Sequence, residues 1–249
     1  KEIIGMTLDN WFVSHPEKGR CEKRLYCFPF AGGTASAYRE WHGNIPGVEI
    51  CALQYPGKEN RIRENPISDF ETLVDNICSA ISVKEGVPFA FFGHSLGGKV
   101  AFEVAKRLSE RGRIVPEYLF ISGSRAPHLP ARKQIHHLND NEFVSALAQY
   151  GGTPQAVLEN QELMKFFLPM IRADFALDET FVSQRESKIS VPICTFSGKE
   201  DNIAPCEEVM GWSQYTYGAF NSFELEGGHF FLKEHQHFLW EQIGRLMFL

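Results

Sequence analysis

The segment Phe89-Ala90-Phe91-Phe92-Gly93-His94-Ser95-Leu96-Gly97-Gly98 constrains the fold more than any other stretch of this chain. Its apolar start, directly after Pro88, predicts a strand buried on both faces of a parallel sheet. The residues from Gly98 to Arg111 predict a helix, with Val100, Val104 and Leu108 on one face and Gly112 as the C-terminal stop. Between the two lies Gly93-x-Ser95-x-Gly97, the pattern of a nucleophile elbow in its required strand–turn–helix context. So tight a turn brings the backbone against its neighbours at both flanking positions, where only glycine fits. It holds Ser95 in a strained conformation at the carboxyl edge of the sheet, at the start of a helix whose free N–H groups favour negative charge.

The rest of the chain repeats the strand–helix alternation. Strands are predicted at Arg24–Phe28, Val48–Gln54, Tyr118–Ser122, Val191–Ser197 and Asn221–Leu225, and helical stretches at Ser36–Trp41, Asp69–Ile81 and Lys233–Met247. Ser68 is read as the N-cap of the Asp69–Ile81 helix, with Glu71 completing a capping box. This order implies an α/β fold with a mostly parallel central sheet. One segment, about residues 124–188, lacks a convincing strand and carries two helical runs, Asn139–Tyr150 and about Val157–Phe181. It reads as a helical lid inserted into a single domain spanning 1–249.

Composition excludes several function classes. Hydrophobic residues at 43% and charged residues at 22% are ordinary for a folded globular chain. The net charge of −6 argues against general nucleic-acid binding, which leans on clustered cations. No apolar run approaches 18 residues, so no membrane span is expected. Lys1 to Trp11 lacks the basic-then-apolar pattern of a secretory leader, and the absence of an initiator Met implies a trimmed or processed start. The six cysteines form no C-x-x-C pair. They are expected to be reduced and structural, with Cys27, Cys51 and Cys194 as strand core residues, in keeping with a cytoplasmic location and no bound metal. His235 and His237 read as positions on a solvated helix rather than as metal ligands.

A serine hydroxyl needs a base, and in this kind of sheet the partners follow in the order Ser, carboxylate, His. Ser197-Gly198-Lys199-Glu200-Asp201 follows a predicted strand and offers Asp201, with Glu200 as the competing carboxylate. Glu226-Gly227-Gly228-His229 follows the next strand and offers His229 on a loop with room to reach Ser95. His15, His42, His128, His136 and His137 lie at no expected strand end, and His94 suits packing or hydrogen bonding better than base catalysis. The backbone N–H of Leu96 is one candidate oxyanion donor. The second comes from the loop Phe28-Pro29-Phe30-Ala31-Gly32-Gly33, with Ala31 chosen and Phe30 its rival.

Together with Ile121-Ser122-Gly123-Ser124, Leu163-Met164-Lys165-Phe166-Phe167-Leu168-Pro169 and Gly227-Gly228-His229-Phe230-Phe231-Leu232, these motifs resemble the type II, or external, thioesterases of nonribosomal peptide and polyketide synthases. The resemblance runs over nearly the whole chain. A common family form has Met where this chain has Leu96, a swap that leaves the backbone donor intact. The resemblance implies an α/β-hydrolase fold, a triad of Ser95, Asp201 and His229, and oxyanion donors at Ala31 and Leu96. It further implies a monomer with no bound cofactor that meets an acyl or peptidyl carrier protein transiently. Its substrate would be an acyl group on the carrier's phosphopantetheine arm. Vertebrate medium-chain thioesterases of fatty-acid synthesis are similar and remain an alternative, as does a general serine esterase. An inactive binding protein is disfavoured because all three triad residue types are present.

Two further expectations concern specificity. Phe166, Phe167, Met170, Phe175 and Leu177 either pack the lid or line an acyl channel, with Phe30, Phe167 and Met170 as candidate substrate contacts. An acidic carrier protein would seek a basic patch, for which Lys58, Arg61 and Arg63, or Arg125, Arg132 and Lys133, are candidates.

Overall fold

In the computed structural model, which describes residues 9–14, 21–83, 86–184 and 186–249, the apolar runs pair into one seven-stranded sheet. His15 and most of the stretch from Lys1 to Trp11 lie outside the described residues. The strands are β1 (Phe12–Ser14), β2 (Lys23–Phe28), β3 (Val48–Leu53), β4 (Phe89–His94), β5 (Leu119–Ser122), β6 (Ile193–Gly198) and β7 (Phe220–Leu225). Their order is β1-β3-β2-β4-β5-β6-β7. All neighbours run parallel except β1, which pairs antiparallel with β3 in the register Phe12↔Leu53 to Ser14↔Cys51. A three-residue edge strand is too short to show periodicity, which is why sequence patterning passes over β1.

Both faces of the sheet are covered. Along β2, Tyr26 and Phe28 join one core with helices α1 (Phe70–Val83) and α2 (Leu96–Glu110), while Leu25 and Cys27 join the other with Trp41 and helix α7 (Gln236–Met247). Period-two alternation into two apolar layers explains why the central strands read as continuous hydrophobic runs. Cys27, Cys51 and Cys194 are buried in these layers, and burial pushes the Cys27 and Cys194 thiols up. Among the described residues no helix is long and apolar enough to cross a membrane.

From β2 the chain steps outward to β3, then returns through α1 to β4 on the opposite side of β2. The carboxyl ends of β2 and β4 therefore flank the point where the winding reverses, the usual place for a crevice in an open α/β sheet. Between β5 and β6 the chain leaves the sheet to form α3 (Asp140–Tyr150), α4 (Gln155–Leu158) and α5 (Gln161–Thr180). Asn139 caps α3 by accepting the Glu142 N–H, and Asn160 caps α5 by accepting from Glu162 and Leu163. These three helices enclose their own apolar cluster, with Phe143, Leu147, Leu168, Ile171 and Phe175 at its centre.

Local details differ from the sequence reading. The N-cap of α1 is Asp69, whose carboxylate accepts the Thr72 N–H at 2.8 Å; Glu71 instead pairs with Arg107 on α2. Ala35–Trp41 is a 3-10 helix, and α7 starts at Gln236 after a separate 3-10 turn at Phe231–Lys233. Helix α2 starts at Leu96, so Gly97 and Gly98 lie inside its first turn. Close packing, not helix termination, requires those two glycines.

Strand β4 ends in His94, which is wholly buried and shares a 2.9 Å hydrogen bond with the Ser122 hydroxyl at the end of β5. Its Nε2 has no partner among the described residues. Burial, with the nearby His229, holds its imidazole well below the ordinary histidine value of 6.5. The native state thus keeps His94 neutral where the unfolded chain is protonated. Stability is full above about pH 6.5 and falls as the pH drops below it, with one proton taken up at this site on unfolding. Urea unfolding of His94→Asn across this range should show a slope with pH shallower by about one proton; an unchanged slope would exclude the assignment. Asp69→Ala should lower the urea midpoint while Ser68→Ala leaves it unchanged.

Candidate active site

The elbow after β4 is built by backbone contact. A Cβ at Gly93 would lie 2.2 Å from the Gly97 carbonyl oxygen, and one at Gly97 would lie 2.1 Å from the Phe28 carbonyl oxygen. Neither distance is tolerable for any side chain, so the two glycines permit the turn and press it against the end of β2. Ser95 takes φ +55°, ψ −120°, a conformation that L residues rarely adopt. Its N–H donates to the Ser122 carbonyl at 2.8 Å and its carbonyl accepts from Gly98 at 3.0 Å, so hydrogen bonds on both sides offset a strain of about 1–3 kcal/mol.

Asp201 and His229 arrive from the carboxyl ends of β6 and β7. The Asp201 carboxylate is buried: one oxygen accepts the Ile203 and Ala204 N–H groups at 2.8 and 2.9 Å, the other meets His229 Nδ1 at 2.8 Å. A carboxylate only accepts, so Nδ1 carries the proton and Nε2 is left to accept from Ser95 Oγ at 3.1 Å. A base held in this way can take the proton of a serine hydroxyl and make it a nucleophile. Glu200, the competing carboxylate, is exposed and accepts the Gly227 N–H instead. His235 and His237 are engaged elsewhere, with the Glu226 carbonyl and the Trp240 ring.

The loop after β2 faces the elbow. Its Gly33 N–H returns to the Phe30 carbonyl at 2.8 Å, and its Gly32 N–H goes to the Asp174 carboxylate at 2.7 Å. The N–H groups of Phe30, Ala31 and Leu96 donate to no acceptor among the described residues. The Phe30 ring packs edge-on against Phe230 and His94.

A cleft opens over Ser95 and His229. Phe30, Ala31, Leu147, Tyr150 and Phe175 contribute its apolar wall; Lys99, Arg125, Arg132 and Lys133 line it together with the carboxylates Asp178, which pairs with Lys99, and Glu179. Phe167 and Met170, expected as substrate contacts, are not among the residues that line it, whereas Leu147 and Phe175 of the same lid cluster are. Successive residues turn by about 100° on a helix, so Met170 and Phe167 point about 140° and 80° away from Phe175. Phe166 is 60% exposed on the outside of α5, and Leu177 is buried in the main core. Amphipathic spacing alone does not tell which face of a lid meets the cleft. For that reason the sequence reading names Phe175 without separating it from Phe167 and Met170, and passes over Leu147 and Tyr150.

The first basic patch does not form. Lys58 is 1% exposed and Arg61 7%. Lys58 is ion-paired with Asp174 across 116 positions of sequence, and Arg61 is bound by Glu64 and the Gln54 carbonyl. The second patch does lie at the cleft, where Arg125 and Arg132 both pair with Glu208 and Lys133 is exposed.

Residues 23–247 match the family described as Thioesterase domain. The chain is 36% identical over 229 residues to the gramicidin S biosynthesis protein GrsT of Aneurinibacillus migulanus, covering 91% of this chain and 90% of that one. It is 34% identical over 216 residues to the medium-chain S-acyl fatty acid synthase thioesterase of Rattus norvegicus, covering 84% and 81%. The solved structure of RedJ, a thioesterase from the prodiginine pathway of Streptomyces coelicolor, superposes with a TM-score of 0.86 at 34% identity, covering 94% and 95%. A family match over nearly the whole chain, on an α/β-hydrolase-like sheet, makes this protein a member of the thioesterase-domain family, serine hydrolases that act on thioesters.

Proposed function

We propose that the protein is a type II thioesterase that removes acyl groups from the phosphopantetheine arm of carrier proteins, restoring misprimed synthase modules. The observation that carries this reading is the continuous bond chain Asp201–His229–Ser95, set beside a loop and a helix start with uncommitted N–H groups. The gramicidin S and prodiginine relatives support the pathway. In the proposed reaction His229 Nε2 takes the Ser95 proton as Oγ attacks the thioester carbonyl. The tetrahedral oxyanion is held by the Ala31 and Leu96 N–H groups, and Asp201 stabilises the imidazolium.

The arm's sulfur leaves as the thiol, taking the proton from His229 Nε2; the neutral imidazole then accepts a proton from the attacking water and passes it to Ser95 Oγ as the acid is released. A thiol with a pKa near about 8.5 needs little protonation to depart, so deacylation is the step expected to limit turnover. In this reading Leu147, Tyr150 and Phe175 receive the acyl chain. The Arg125, Arg132 and Lys133 side of the cleft meets the anionic arm and its acidic carrier, despite the protein's net charge of −6.

One acyl group presented on a holo carrier protein, on a pantetheine mimic and as an oxoester tests the assignment. Carrier-bound thioester should be cleaved best, and Ser95→Ala should lower kcat by about 10³-fold or more. Equal cleavage of the oxoester would identify a general esterase, and preference for medium-chain fatty acyl carriers the alternative pathway. Phe175→Ala should extend the accepted acyl length, whereas Phe166→Ala should leave the chain-length profile unchanged. The reverse result would remove Phe175 from the channel.

A further inference from the structure

Outside the triad, the most deeply buried ion pair among the described residues is that of Lys58 and Asp174, with side-chain exposures of 1% and 4%. Replacing such a buried pair by apolar residues is often neutral or stabilising, so stability alone does not account for it. Its position does. Asp174 lies on lid helix α5, and its carboxylate accepts both the Lys58 ammonium and the Gly32 N–H. Lys58 follows β3 and also donates to the Gly33 carbonyl at 2.7 Å, with its ammonium 5.1 Å from the Tyr55 ring centroid. The pair thus grips two successive residues of the loop after β2, one by its N–H and one by its C=O.

Other anchors of this loop come from the body of the protein. Gln54 Oε1 accepts the Ala35 N–H at 3.0 Å, and Thr34 Oγ1 donates to Glu59 at 2.7 Å. Asp174 is the anchor that the lid supplies. Gly32 sits at φ +78°, and holding its N–H fixes the plane of the Ala31–Gly32 peptide; the preceding plane, which carries the Ala31 N–H, is tied to the same clamp because its Phe30 carbonyl accepts the N–H of Gly33, the residue that Lys58 holds.

We infer that Lys58 and Asp174 are positioning residues: their ion pair orients the loop after β2 so that the Ala31 N–H faces the Ser95 reaction centre, and does so only while α5 is seated on the body. Lid seating and oxyanion-site assembly are then one event. An enzyme with its lid displaced binds acyl groups loosely and also lacks a formed donor, which spares it from unproductive acylation. The inference rests on the serine-hydrolase reading of Ser95 and is independent of the carrier-protein substrate.

The test uses p-nitrophenyl butyrate, which needs Ser95 and the oxyanion donors but no carrier. The Lys58→Met/Asp174→Leu double variant removes both charges at similar volume, and Asp174→Asn keeps one carbonyl oxygen for the Gly32 N–H. The double variant should stay folded, with Tm near that of the wild type. Its kcat should fall about 10- to 100-fold, below the loss expected for deleting a donor outright, with KM changed less than about threefold. Binding of a short-chain trifluoromethyl ketone, whose adduct places an oxyanion at the site, should weaken in parallel with kcat/KM. Asp174→Asn should retain more kcat than the double variant.

A folded double variant with wild-type kcat and ketone affinity would overturn the inference. So would a loss of rate traced wholly to a smaller titratable fraction of active enzyme. If the double variant does not fold, Asp174→Asn decides alone: reduced kcat at constant KM supports the inference, and unchanged kcat ends it. Ester turnover that survives Ser95→Ala would remove the serine reading and this inference with it. Absence of carrier preference alone would leave the inference standing.

Discussion

The approach of the β4–α2 turn to the end of β2 sets how near Ser95 can come to the loop after β2. Two missing Cβ atoms make the approach possible, since either one would sit within 2.2 Å of a backbone oxygen. Sheet order then does the rest. With β2 and β4 adjacent, the loop and the elbow share one crevice, and β6 and β7 bring Asp201 and His229 to the same edge. Every candidate catalytic group stands at a strand's carboxyl end because a parallel sheet puts all those ends on one side.

The sheet and the lid are held in different ways. Strands β4 and β6 are buried along their whole length, and Asp201 is held by two backbone N–H groups besides His229. The lid is different: its helices pack largely on one another, with their own apolar cluster. Its links to the body are specific and few in kind, such as Lys58–Asp174, Lys99–Asp178 and the stacking of Phe70 on Phe181 with ring centroids 3.9 Å apart. An element with a separate core and polar ties is suited to move as a unit. Placing one of those ties on the loop after β2 links any such movement to the reaction centre.

Much of this was legible in the sequence because the relevant signals are local. The Phe89–Gly98 stretch joins an apolar run, flanking glycines and a helical period within ten residues, and each has one physical reading. Asp201 and His229 were legible because each follows a strand after a glycine, so chain order places them. The N-cap of α1 was misread by one residue, since Ser68 and Asp69 are both good caps and only the geometry of the Thr72 N–H separates them. Lys58 and Arg61 looked like surface cations because sequence shows charge without showing burial. The partner that permits Lys58 to be buried lies on a helix more than a hundred residues away.

The sequence by itself determined the α/β alternation, the elbow and the candidate residues of the site, because backbone sterics and hydrophobic periodicity act over a few residues. Only the tertiary structure decided which face of α5 meets the cleft, with Phe175 on it and Phe167 and Met170 turned elsewhere. It alone turned Lys58 and Asp174 from two ordinary charges into a clamp on the loop after β2. Those choices depend on the angle at which the lid packs on the body and on which distant charges are desolvated together. Both are set by contacts between segments far apart in the chain, where no local pattern records them.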